Sequence, residues 1–173
     1  MSSPMPDSAQ PVFLVDAYAD PVVVRIDGRA SFLNSGGLKD FLAERVKQGK
    51  RRFVVDFRLC ASMDSTFLGV LAGAALELRR QTPPGVLTFA RVGERNLELI
   101  RNLGLHRLAT VDLDTHSMNP LGNTAPLSER TRGEIESARL VLEAHENLVV
   151  TDAANAAKFQ DVMAFLRNRL ETR

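Results

Sequence analysis

The sequence has few of the residues on which metal binding, cross-linking and catalysis usually depend. Its 173 residues include one cysteine, three histidines, one tyrosine and no tryptophan. A single cysteine, Cys60, excludes an intrachain disulfide, and the scattered histidines offer no Cys/His spacing for a zinc site. We therefore expect a reduced, intracellular protein without a bound metal ion.

The chain also lacks an excess of charge and a long apolar segment. Its 22 Lys and Arg residues almost balance its 21 Asp and Glu residues. Because binding to phosphates normally leaves a basic bias in the composition, we expect no direct contact with nucleic acid. The longest apolar runs, such as residues 68–76, are far shorter than the roughly 20 residues that cross a bilayer. With no secretory signal at the N-terminus, the prediction is a cytoplasmic protein that does not insert into membranes.

The sequence does contain an alternation of β-branched runs and helical patterns. Strands are predicted at residues 12–15, 22–26, 52–57, 86–92 and 108–113, and helices at 35–48, 64–80 and 95–102. Gly28 is expected to end the second strand, and residues 59–63 to form a loop. The order β-β-α-β-α-β-α-β predicts an α/β fold, a mixed, largely parallel sheet of about five strands with helices packed against it.

The remaining segments differ in character. Residues 1–11, with three prolines, predict a disordered leader before a domain at residues 12–113, and the polar residues 114–126 predict a linker. Residues 127–173 predict a C-terminal helical hairpin, whose first helix has Thr131 and Glu134 at capping-box spacing. Such a hairpin cannot bury its apolar faces alone, so it must pack on the first domain, on a second copy in a homodimer, or on a partner.

The most informative segment is residues 54–71, a strand and a loop followed by Met63-Asp64-Ser65-Thr66 and a helix of small residues. It resembles the signature of the STAS domain, the family of sulphate transporters and anti-sigma factor antagonists. The resemblance extends over roughly residues 12–113, including Gly28 and the turn at residues 102–105. Two positions depart from the pattern: Phe67 stands where the family commonly has glycine, and residues 28–31 replace a segment that often contains Asp.

The helix start has a chemical interpretation of its own. Asp64 is placed to cap the helix, since its carboxylate can accept from free backbone N–H groups and is favoured by the helix dipole. Ser65 and Thr66 follow on the first turn, where we expect them to be exposed. A phosphate on Ser65 would add about −1.5 to −2 charges beside Asp64 and could block a docking partner.

By the resemblance, the protein is an anti-sigma factor antagonist of a bacterial signalling system that regulates transcription. Unphosphorylated, it would bind an anti-sigma factor, typically a serine kinase that sequesters a sigma factor. Phosphorylation at Ser65, or at Thr66 as the second candidate, would end the interaction, and a phosphatase would restore it. The resemblance implies that the partner-binding residues are Asp64, Ser65, Thr66, Phe67, Leu68, Ser31 and Asn34.

Two other functions stay open: a non-phosphorylated STAS subunit of a membrane transporter complex, and a module that senses a small ligand. Catalysis is not expected, because a nucleophilic Ser65 needs a base, and no motif brings His106, His116 or His145 to it. Residues 86–93 also lack the glycine pattern of a phosphate-binding loop, so no cofactor is predicted. Cys60 is interpreted as a small buried thiol.

Overall fold

The computed structural model describes residues 11–112 and 123–172, which form one six-stranded sheet and five α-helices. The strands are β1 (Phe13–Asp16), β2 (Val22–Ala30), β3 (Arg52–Met63), β4 (Val86–Ala90), β5 (Thr110–Asp112) and β6 (Ala125–Pro126). The helices are α1 (Ser35–Lys47), α2 (Ser65–Arg80), α3 (Glu94–Asn102), α4 (Glu134–Thr151) and α5 (Asn155–Glu171). A 3₁₀ turn at Leu105–Arg107 precedes β5. Residues 1–10 of the predicted leader lie outside the described residues.

The sheet has the order β5-β4-β3-β2-β1-β6. Strands β2 to β5 are parallel neighbours, whereas β1 runs antiparallel to both β2 and β6. The predicted fold class, a mixed and largely parallel sheet with helices packed on it, is thus confirmed, with one strand more than expected. That strand, β6, consists of the last two residues of the predicted linker 114–126 and pairs with Leu14 and Val15. The linker residues 114–122 lie outside the described residues.

Strands β2 and β3 are longer than predicted. The prediction that Gly28 ends β2 and that residues 59–63 form a loop is wrong, because the two strands stay paired as far as Ala30 and Met63. The pairing contains two irregularities, on either side of Gly28. Gly28 has a φ of 108°, a conformation that residues with a Cβ rarely adopt, so it lets the strand continue through an irregular ladder.

The core lies between the sheet and the helices and is continuous. Phe57 meets Phe89 edge to face, with ring centroids 5.3 Å apart. The helix α1 contributes Leu38, Leu42 and Val46 at the helical spacing expected from the sequence. The backbone N–H of Asp64 donates to the carbonyl of Ala30, at 3.1 Å, which places the beginning of α2 beside the end of β2.

The C-terminal helices are present as predicted and pack on the first domain, α4 against α2 and α5 against α4. The capping box is wrong: α4 begins after Gly133, with no side-chain cap. Arg132 instead binds Asp40 of α1 with an N to O distance of 2.6 Å, which holds the segment before α4 against the core. Thr131 therefore lies too early in the chain to cap the helix.

Candidate functional site

The beginning of α2 is fixed by Asp64, which caps the helix as predicted. One carboxylate oxygen accepts from the backbone N–H of Phe67, at 2.9 Å, and the other accepts from the N–H of Phe32, at 2.8 Å. The second bond was not foreseen, since it joins two segments 32 residues apart. Asp64 consequently ties the loop after β2, residues 31–34, to the helix start, and we call these two segments together the α2 end.

The 31–34 loop is ordered by its own polar side chains. The Asn34 side-chain oxygen accepts from the N–H of Ser31, at 2.9 Å, and its amide donates to the carbonyl of Arg29, also at 2.9 Å. Between them, Phe32 and Leu33 are 50% and 78% exposed. Ser31 and Asn34 thus shape the loop, while its apolar tip points outward. Sequence reasoning chose the two polar residues and missed the two apolar ones.

Ser65 is partly buried, contrary to the prediction of an exposed hydroxyl. Its Oγ lies 2.8 Å from Nε2 of His145, a residue of α4 that is 80 positions away. The His145 Nδ1 is 2.7 Å from the carbonyl oxygen of Val141, which can only accept, so Nδ1 carries a proton. In the neutral imidazole, Nε2 then accepts from the Ser65 hydroxyl. No motif in the sequence indicated an imidazole at Ser65, yet the fold brings His145 within hydrogen-bond distance of it.

The next three residues of α2 turn inward. Thr66, Phe67 and Leu68 are 4%, 0% and 1% exposed, so in this conformation their side chains pack into the protein, and their role in partner binding stays a prediction. Phe67 stacks on Phe13 with ring centroids 5.9 Å apart and meets the edge of Phe57. The bulky residue at the position where glycine is common serves as core packing.

Helix α4 crosses α2 at very short range. A Cβ on Gly69 would lie 2.2 Å from the carbonyl oxygen of Ala144, and one on Gly73 would lie 2.5 Å from the amide nitrogen of Asn147. That amide donates to the Gly69 carbonyl at 3.3 Å. The close approach of the α4 backbone requires glycine at position 69, whereas Gly73 makes room for the Asn147 side chain.

A second polar group lies at the end of β4, where Arg91 meets Asp56 in the middle of β3. The buried carboxylate of Asp56 accepts two hydrogen bonds from the Arg91 guanidinium, and this pairing raises the pKa of Arg91. A cavity of about 530 Å³ adjoins the pair, with Cys60 in its wall. Burial raises the pKa of the Cys60 thiol to about 11, so the thiol is protonated at neutral pH. The interpretation of Cys60 as a small buried thiol is only partly right, because the residue is partly buried.

A larger groove, of about 580 Å³, runs between α1, α2 and α4. Its lining includes Leu42 and Val46 of α1, Val70 of α2, and Leu140 of α4. The groove shows that α4 meets α2 closely without closing completely against α1.

Neither a metal centre nor a membrane span is present in the described part of the chain. Residues 11–112 and 123–172 contain no group of three or more His, Cys, Asp or Glu side chains placed to hold a metal ion. Within the same ranges, every helix is too short or too polar to cross a bilayer.

The fold and the site together define an α/β protein with a serine-bearing helix start beside the ends of parallel strands. The family model described as "Mlab, STAS domain" matches residues 13–112, more than half of the chain. The protein belongs to this STAS family, and the resemblance drawn from residues 54–71 is confirmed.

Two solved structures are similar in fold. The anti-sigma factor antagonist SpoIIAA in its unphosphorylated form is 18% identical, with a TM-score of 0.47 over 51% of this chain and 81% of that chain. The Bacillus cell fate determinant SpoIIAA in the phosphorylated form is 17% identical, with a TM-score of 0.49 over 59% of this chain and 92% of that chain. No curated protein matches the sequence.

Proposed function

We propose that the protein is a non-enzymatic regulator that binds a partner protein through the α2 end and is switched by phosphorylation of Ser65. The observation that carries the proposal is the double hydrogen bond of Asp64, which holds the Ser65 helix start and the 31–34 loop as one surface. The exposed Phe32 and Leu33 give that surface an apolar contact. Apolar side chains framed by polar groups are typical of protein interfaces.

A phosphate on Ser65 would change this surface in two ways. It would add about −1.5 to −2 charges next to the Asp64 carboxylate, and it would add bulk where the hydroxyl lies 2.8 Å from His145. Both effects oppose a partner that recognises the unmodified helix start. In the proposed cycle, the partner is an anti-sigma factor with serine kinase activity, and a separate phosphatase restores binding.

The test is capture of the partner by the full chain, followed by affinity measurements on the recovered protein. Ser65→Ala should bind like the wild type, whereas Ser65→Asp should bind at least tenfold more weakly. Thr82→Asp is the matched control, since it adds the same charge at an exposed position beyond the opposite end of α2. Equal affinities of the Ser65→Ala and Ser65→Asp variants would refute the switch. Leu33→Ala should also weaken binding, because it removes the most exposed apolar side chain of the loop.

A second candidate is a non-phosphorylated STAS subunit of a membrane transporter complex. The observation in its favour is that the Ser65 hydroxyl is already bound by His145 beneath α4 and is not freely available to a kinase. Identification of the captured partner separates the two functions. Recovery of a transporter ATPase with its permease supports the second candidate, and recovery of a histidine-kinase-like ATPase that modifies Ser65 supports the first.

A further inference from the structure

Ser65, Gly69 and Gly73 lie four residues apart along α2 and form one row on its surface, which we call the α2 row. Residues at this spacing stack above one another on a helix, so two glycines below a serine leave a shallow channel along the helix. The backbone of α4 lies in that channel, as the contact between Gly69 and Ala144 shows. The α2 row is therefore a helix-docking surface that the chain occupies with its own C-terminal segment.

The occupation of the α2 row by α4 is specific. His145 binds the Ser65 hydroxyl, and Asn147 binds the Gly69 carbonyl, so one helix satisfies polar groups on two successive turns of the other. The His145 ring is held from behind by Phe159 of α5, with ring centroids 4.7 Å apart. Both helices of the hairpin thus contribute to covering the Ser65 side chain.

The contact over the α2 row is also separate from the main core. Its buried apolar residues, Val70, Leu140 and Ala144, form a small cluster of their own, and the groove of about 580 Å³ lies beside it. The far end of α4 is attached differently: Leu148 belongs to the main core, and the buried Asn155 amide donates to the carbonyls of Leu103 and Leu148. The hairpin is therefore anchored to the main core at its turn, whereas near Ser65 it is held by the close contact between α2 and α4.

We propose that α4 is a built-in competitor for the α2 row, and that a partner reaches Ser65 by displacing α4 with a helix of its own. Such a helix needs a small residue where Ala144 now lies and a polar side chain opposite Ser65. The consequence for phosphorylation rests on the proposed function: a phosphoryl group has no room between Ser65 and His145, so modification requires the displaced state. Whether α4 covers Ser65 and can be displaced can be tested without any partner.

The experiment uses the full chain with Cys60→Ser and Ser65→Cys, so that the thiol at position 65 reports its own accessibility to the thiol reagent DTNB. Adding Gly69→Ala should displace α4, because the new methyl meets the Ala144 carbonyl while alanine favours the α2 helix. We expect position 65 to react at least tenfold faster. Gly93→Ala is the matched control, since its Cβ has no atom within 4 Å, and it should leave the rate unchanged.

Hydrogen exchange on the same variants shows which part of the molecule opened. The inference is supported if Gly69→Ala lowers protection in residues 134–171 while the sheet keeps its protection. An unchanged reaction rate at position 65, together with a hairpin that stays protected, would overturn the inference. A loss of protection throughout the sheet would also overturn it, because the hairpin would then be an inseparable part of the core. Neither result depends on the comparison of Ser65→Ala with Ser65→Asp. The proposal that α4 can be displaced can therefore fail while the proposed phosphorylation of Ser65 stands.

Discussion

The α/β core and the C-terminal hairpin are held together by different means. The core buries large apolar side chains in one continuous cluster, with Phe13, Phe57, Phe67 and Phe89 almost inaccessible to solvent. The hairpin leaves Val150 and Phe165 more than half exposed and adds exposed ion pairs to α1, such as Lys39 with Glu143. Exposed pairs of this kind contribute little to stability. The difference indicates a core that determines whether the protein folds and a hairpin whose attachment can be adjusted.

The largest expected effect is that of truncating a core phenylalanine. Phe67→Ala should lower the free energy of unfolding by about 3–5 kcal/mol, because it removes a fully buried ring and leaves a cavity. Phe165→Ala makes the same change on a hairpin residue that is 62% exposed, and should change stability by less than about 0.5 kcal/mol. Chemical denaturation of both variants gives the comparison. Similar losses would show that the hairpin is as much a part of the core as α2.

A smaller effect is expected where the hairpin is anchored. Asn155→Ala removes the two hydrogen bonds from a fully buried amide to the carbonyls of Leu103 and Leu148, at 2.9 and 2.7 Å. The Leu148 carbonyl keeps the N–H of Asp152 as a donor, but the buried Leu103 carbonyl loses its side-chain donor, and an unpaired buried acceptor costs about 1–3 kcal/mol. Hydrogen exchange should localise the loss to residues 134–171. Asn168→Ala, at an exposed position of α5, is the control and should have no effect.

Removing the cap of α2 tests a contact within the α/β core that does not involve the hairpin. Asp64→Ala should cost about 0.5–2 kcal/mol, the usual range for loss of an N-cap, and should loosen the 31–34 loop through the lost bond to Phe32. Asp64→Asn keeps one acceptor oxygen, so it should retain the cap on the N–H of Phe67 but lose the bond from the N–H of Phe32. A loss of exchange protection in α4 but not in the loop would contradict the assignment of Asp64 to the core. Thermal unfolding and exchange together provide the measurement.

The last effect is absent at neutral pH and appears only at alkaline pH. Burial raises the pKa of the Cys60 thiol from 9.0 to about 11, so the folded protein holds this proton more tightly than the unfolded chain does. The resulting stabilisation is complete below pH 9 and is lost as the pH rises from about 9 to 11. The difference in stability between the wild type and Cys60→Ser should change in that window and not below it. A constant difference across the window would mean that the thiol titrates as in water.

Local chemistry accounts for what the sequence predicted well. The helical spacing of Leu38, Leu42 and Val46 identified α1, and the position of Asp64 before a run of small residues identified the cap of α2. Such patterns depend on neighbours within a turn or two of the chain. The family resemblance rested on the same short segment, which is why it was recognisable without a structure.

Long-range contacts account for what was missed. The extension of β3 to Met63 depends on pairing with β2, and the burial of Phe67 depends on Phe13, which is 54 positions earlier in the chain. The hydrogen bond between Ser65 and His145 spans 80 positions, and neither residue carries a local signal for it. The Gly69 and Gly73 pair was visible as small residues in a helix, but its partner helix was not.

Because Ser65 and His145 are far apart along the chain, the two residues are synthesised at different times. Ribosomes add about 5–20 residues per second, so these 80 residues take roughly 4–16 s to make. Domains fold as units from the N-terminus, and α2 becomes available for folding before α4 has been translated. In each new molecule Ser65 is thus synthesised before the helix that covers it in the folded protein.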